Sequence, residues 1–302
     1  MYSGFSSSVT GASHIARNLI CQDCSAYSIN DEYAVAVVAD GHGSKKHFRS
    51  DIGSKIAVES TIKVIARFYS DPAEFNRYFP DNHKMVLRNI EKQIIAEWNT
   101  RIAEHYHNNP VTMQEKQNFD KAEFESIPVV SYYGTTLVTA VAGKNFAFGF
   151  QIGDGSLVGV FEDGETSLLI EYDESNPANI TSSICNSNAL TMFSDFYTEK
   201  KRPLALFVST DGLYTSFGSD SDFLDYHAII TSQISESGNF DAVVVRNLKK
   251  RSNYGTQDDI SLSCVYNAEL IKSRPDSVKK IVEEYRKRQM SAIRNSTDKN
   301  GR

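Results

Sequence analysis

Four aspartates stand at the borders of apolar runs. Asp40 closes YAVAVVA, Asp154 follows FAFGFQIG, Asp211 follows LALFVST and Asp258 precedes ISLSCVY, and the first three are each followed by glycine. Taken once, an apolar run ending in Asp-Gly is a strand entering a turn, because both residues tolerate the backbone angles that turns require. Four such acids ask for more. Carboxylates at strand ends are costly to desolvate unless they are paired or bind a metal, and too few basic residues adjoin these to pair them all. Hard oxygen donors converging on a sheet end suit Mg²⁺ or Mn²⁺, and the glycines let backbone carbonyls approach as well. The pattern favours a binuclear hydrolytic centre.

The secondary structure that carries these acids follows from periodicity. Tyr33–Ala39 reads as a largely buried strand, and residues 50–69 change to helical spacing through Ile52, Ile56, Ala57, Thr61, Val64, Ile65 and Phe68. A second helix is predicted over residues 84–105, carrying Val86, Ile90, Ile94, Ile95, Trp98 and Ile102. After Pro128 the pattern turns to short β-rich runs at 135–141, 146–152, 156–161 and 167–170, separated by GK, GD and DG turns, which predicts an antiparallel meander. Residues 172–201 read as a polar loop or flap, 204–209 as a strand, 222–248 as helical and 260–266 as a final strand. No internal repeat is visible.

The chain has 302 residues, 40% hydrophobic and 23% charged, which suits a globular domain with an adequate core. It lacks an apolar segment of the length a membrane span needs and a basic-then-apolar leader, so no membrane association and a cytoplasmic location are expected. Cys21-x-x-Cys24 has no second close pair to complete a zinc site, and Cys185 and Cys264 stand alone. Net charge is -6, which argues against nucleic acid as a partner of the whole molecule. The charge is uneven: residues 271–302 hold ten Lys or Arg against four acids. Residues 269–302 are expected to be a basic helical extension with a disordered end, its helix following Pro275 with an apolar stripe of Val278, Ile281, Val282 and Tyr285. Residues 1–268 are then the folded domain.

The ordered set CQD (Cys21–Asp23), VADGHGS (Val38–Ser44), YGTTL (Tyr133–Leu137), IGDGS (Ile152–Ser156), STDGL (Ser209–Leu213) and GTQDDIS (Gly255–Ser261) resembles the metal-dependent protein phosphatases of type 2C. The likeness spans about residues 9–266, and GASHIARNLICQD and NPANITS are closer to the bacterial branch. The resemblance implies an α+β fold, a four-layer α-β-β-α sandwich of two antiparallel sheets flanked by helices, with two metals in a cleft at one end. It implies metal-dependent hydrolysis of phosphoserine and phosphothreonine in proteins by a binuclear-metal-activated water, without a covalent phosphoenzyme. It also implies a monomer acting on a phosphorylated protein opposite a serine/threonine kinase.

Carried over by position, Asp40 bridges two Mn²⁺ or Mg²⁺ ions, the Gly41 carbonyl binds the first, and Asp211 and Asp258 hold the second. Asp154 matches the acid that, with Asp211, can take a third. Asp23 matches the acid that orients metal-bound water, and His42 the proposed general acid. Two positions depart from the family: Gln22 stands where many relatives have Glu, and Arg17 is one position further from the acidic pair than the phosphate-binding Arg of the animal enzymes. These leave two rivals open, a catalytically weak phosphoprotein-binding member and a phosphatase for small molecules or nucleotides. Lys45, Lys46, His47 and Arg49 either attract a phosphorylated segment or are merely solvated. Gly134, Thr135 and Thr136 are expected to serve strand packing, and Asp259 to sit behind the ligands.

Overall fold

The computed structural model describes residues 2–171, 181–234 and 240–274, with six single positions between 276 and 287. Residues 176–180 of the NPANITS segment, Val278 and Ile281 of the tail stripe, and the NSTDKNGR end lie outside the described residues. The strands are β1 (Tyr2–Val9), β2 (Cys24–Ile29), β3 (Tyr33–Ala39), β4 (Leu137–Gly143), β5 (Ala147–Ile152), β6 (Ser156–Phe161), β7 (Thr166–Leu168), β8 (Ser194–Thr198), β9 (Pro203–Ser209) and β10 (Ile260–Asn267). Around them lie α1 (Ala12–Ala16), α2 (Ser50–Phe68), α3 (Pro72–Asn108), α4 (Met113–Lys116), α5 (Lys121–Ser126), α6 (Asp211–Tyr214), α7 (Asp220–Ile234), α8 (Phe240–Arg251) and α9 (Ala268–Ser273).

Two five-stranded sheets result, in the orders β1-β10-β9-β6-β7 and β2-β3-β4-β5-β8, with every pairing antiparallel. The layering follows from which way alternate residues of each strand point. On β3, Ala34, Ala36 and Val38 face the first sheet, where they meet Leu206, Val208 and Val265. Tyr33, Val35, Val37 and Ala39 face outward onto α2 and α3, against Ile65, Ile94 and Trp98. Both faces are covered, which is why YAVAVVA carries no polar residue. The other sheet repeats the scheme: Phe207, Leu262 and Cys264 pack outward on Phe223, Val244 and Leu248 of α7 and α8. Three apolar interfaces thus separate four layers, the sandwich that the family resemblance implies.

Several expectations need correction. The run from β4 to β7 is not one meander: β4 pairs with β5 and β6 with β7, but β5 and β6 belong to different sheets. The GD turn between them is a crossover, and periodicity cannot distinguish a crossover from a hairpin. Within residues 172–201, Ser194–Thr198 forms an edge strand on β5 rather than loop. The edge strands β1 and β2 were not foreseen, because FSSS and CSAYSI are too polar to register as apolar runs. The helix expected from residue 84 begins at Pro72, where Asp71 accepts a hydrogen bond from Glu74 N at 3.0 Å; Pro80 lies inside it and Asn82 leaves helical geometry. The helical stretch at 222–248 contains two helices, α7 and α8. No helix among the described residues is long and apolar enough to cross a membrane.

Candidate active site

Antiparallel register brings the five aspartates to one end of the sandwich. Ala39 lies opposite Cys24, Leu137 opposite Ile152, and Ser209 opposite both Ser156 and Leu262. Asp23, Asp40, Asp154 and Asp211, one or two places beyond these, and Asp258, four places before Leu262, therefore leave the sheets at the same edge. Asp40, Asp154, Asp211 and Asp258 line one cavity of about 860 Å³, together with His42, Lys46, Thr136 and Ser183. Asp23 lies behind it and accepts a hydrogen bond from Thr210 Oγ1 at 2.8 Å.

Backbone contacts fix these positions. Asp40 N donates to Thr136 Oγ1 at 3.0 Å, and Thr135 Oγ1 donates to the Asp40 carbonyl at 2.7 Å, so both threonines hold the Asp40 backbone beyond any packing role. His42 N donates to the Gly134 carbonyl at 3.1 Å, and Gly41 N to the Gln22 carbonyl at 3.2 Å. A Cβ on Gly41 would lie 2.6 Å from the Gln22 carbonyl oxygen and 2.7 Å from that of Ser50, so only glycine lets the chain pass there. Gly153, with φ of +105°, makes the crossover that presents Asp154, whose carboxylate accepts from Thr181 Oγ1 at 2.9 Å.

The carboxylates repel one another. Burial, then the charges of Asp23 and Asp211, pushes Asp40 well above the usual carboxylate range. Burial and Asp154 push Asp211 up to about 6, against the hydrogen bond it receives from Asp40. Burial and Asp259 raise Asp23 likewise. Among the described residues no three His, Cys, Asp or Glu side chains are grouped closely enough to hold an ion as they stand. The donor set nonetheless fits Mn²⁺ or Mg²⁺: it is all oxygen, and a divalent cation would replace the shared proton and relieve the repulsion.

Other predicted residues fall outside the cavity. Arg17 is exposed at the end of α1, and its guanidinium donates to the Ser13 carbonyl of its own helix at 3.1 Å. The Gln22 side chain donates to Ser50 Oγ at 2.8 Å and approaches the His42 carbonyl at 3.4 Å, bracing the Asp40 loop. Asp259 accepts from Gly11 N at 2.6 Å and Gln22 N at 2.7 Å, tying the segments that carry Asp258 and Asp23 together. His14, which sequence reading passed over, lies 3.0 Å from that carboxylate through Nδ1. Burial first, then His47 and Lys46, lowers His42 to about 4, so the ring is neutral near pH 7 unless an anion joins it.

The family model for protein phosphatase 2C matches residues 10–250. The chain belongs to the protein phosphatase 2C family. Among solved structures, a bacterial serine phosphatase is similar at 14% identity and a TM-score of 0.57, covering 88% of this chain and 98% of its own. The serine/threonine phosphatase Stp1 from Staphylococcus aureus is similar at 14% identity and a TM-score of 0.56, covering 88% of this chain and 95% of its own. The serine/threonine phosphatase of S. agalactiae gives 16% identity and a TM-score of 0.53, covering 88% and 99%. At these identities the likeness establishes the fold. No curated protein sequence matches.

Proposed function

We propose that this protein phosphatase 2C member hydrolyses phosphoserine and phosphothreonine esters in proteins, with Mn²⁺ or Mg²⁺ as cofactor. The observation that carries the reading is the convergence of four aspartates from separate strand ends on one cavity, with Asp23 buried behind it. Asp40, the Gly41 carbonyl, Asp211 and Asp258 are the residues that would hold two metals, and Asp154 with Asp211 a third. Such ions lower the pKa of bound water and shield the phosphoryl charge. Asp23, buried and held by Thr210, orients the attacking water. His42, on the cavity wall, protonates the leaving oxygen, and an arriving phosphate dianion favours the protonated ring this requires.

The partner is a phosphorylated protein, and a serine/threonine kinase acting on it would oppose this enzyme. The decisive assay is release of inorganic phosphate from phosphoserine and phosphothreonine peptides with Mn²⁺ and with excess chelator. Metal-dependent turnover is the expected result; none at saturating Mn²⁺ sinks the reading. A second reading, a phosphoprotein-binding member with weak catalysis, is favoured by the outward Arg17 and by Gln22, whose amide is engaged with Ser50. It requires p-nitrophenyl phosphate, which needs little help in leaving, to stay uncleaved.

A further inference from the structure

The loop between β3 and α2 carries Lys45, Lys46, His47 and Arg49, and three of these are committed elsewhere. Lys45 Nζ pairs with Glu123 at 2.7 Å. His47 is buried and hydrogen-bonded to the Ser131 carbonyl. Arg49 is buried and reaches Glu115 through two nitrogens, at 2.6 and 3.1 Å. Lys46 differs: it is exposed, has no ion-pair partner among the described residues, and lines the same cavity as Asp40, Asp154, Asp211 and Asp258.

We propose that Lys46 binds the phosphoryl group of the substrate, so that this chain anchors phosphate by a lysine on the loop after Asp40 rather than by Arg17. The inference rests on the phosphatase reading above. Its physical basis is charge. Four carboxylates line the cavity and repel a phosphate dianion, and Lys46 is the one Lys or Arg among the described residues lining it. An ammonium on a flexible four-carbon stem is an established point-charge donor to phosphate and needs no fixed fork geometry. Lys46 lines the cavity together with His42 and His47 of its own loop and with Cys185 of the facing 181–187 segment. An ester entering over the carboxylates passes between these two walls, within the cavity that Lys46 lines. Arg17 is folded back on Ser13 and does not line the cavity.

The test is calorimetric titration of inorganic phosphate into the Mn²⁺-loaded full chain, beside steady-state hydrolysis of p-nitrophenyl phosphate. Lys46→Ala is expected to weaken phosphate binding and raise KM by about tenfold each, with kcat within about threefold, the size of one charge-assisted hydrogen bond. Lys46→Arg, which keeps the charge, should restore both to within about threefold. Mn²⁺ affinity, titrated separately, should be the same in both variants as in the parent chain. Unchanged phosphate affinity in Lys46→Ala overturns the proposal, as does a parent chain that binds no phosphate or a loss that appears on Arg17→Ala instead. A parent chain that binds phosphate but hydrolyses nothing refutes the phosphatase reading, while the binding comparison still decides the role of Lys46.

Discussion

Each aspartate at the sheet edge is costly by itself and useful only in company. Asp40 and Asp211 share a hydrogen bond because burial and neighbouring carboxylates make two full charges unfavourable there. If the proposed phosphatase reading holds, Asp211→Asn should reduce turnover by about a hundredfold or more, since the proposed metal donor is lost, yet leave Tm in chelator no lower than the parent's. Near-normal turnover at saturating Mn²⁺ would remove Asp211 from the ligand set. His42→Ala is expected to lower kcat about ten- to a thousandfold on a phosphoserine peptide and far less on p-nitrophenyl phosphate, whose leaving group hardly needs a proton. Equal losses on both substrates would mean that the imidazole holds the loop and donates nothing.

Among the elements, a clasp centred on Arg49 adds to the contacts that hold the Asp40 loop. Arg49, at the entry to α2, donates to Glu115 of α4, to the Asn109 carbonyl after α3 and to Tyr133 Oη at 2.8 Å. Burial opposes the charge on Glu115, but hydrogen bonds from Arg49 and Thr112 win and hold its carboxyl down to about 2. Glu115→Gln leaves a buried guanidinium without its counter-charge, a loss of about 3 kcal/mol, or roughly 5 °C in Tm at neutral pH. Because the folded-state pKa is depressed from 4.5, this stability is complete above pH 4.5 and is lost as pH falls through 2. The Tm gap between parent and variant should therefore close across that window; a constant gap would place the cost in packing. None of this was legible in the sequence, since Arg49 and Glu115 are distant in the chain and each reads as a surface charge. The aspartates that line the cavity stood out in the sequence because each adjoins an apolar run. β1 and β2 were not, because polar edge strands lack a hydrophobic signal, and the parting of β5 from β6 was not, because sheet membership is decided by packing. Gln22 stood out only as a departure from the family's Glu, and its turn toward Ser50 emerges only when the Asp40 loop folds over it.

Across the whole molecule, charge is divided between an acidic body and a basic end of the sequence. Net charge is -6 although residues 271–302 carry ten Lys or Arg and four acids. The boundary expected after residue 268 falls within structure: Asn267 caps α9 by accepting from Leu270 N at 2.9 Å, Ile271 is 1% exposed in the cluster under α7 and α8, and Arg274 lies 3.5 Å from Glu162. We propose that the catalytic unit extends to about Arg274 and that the residues beyond it are dispensable for chemistry, since none of the candidate ligands lies there. Two truncations separate the claims. A chain ending at Arg274 should keep kcat/KM on p-nitrophenyl phosphate within about threefold and Tm within a degree or two of the parent. A chain ending at Asn267 removes Ile271, whose burial contributes about 1.5–3 kcal/mol, and should melt several degrees lower while keeping its activity well below that temperature. A hundredfold loss of kcat/KM in a folded chain ending at Arg274 would mean that the basic segment reaches the catalytic cavity.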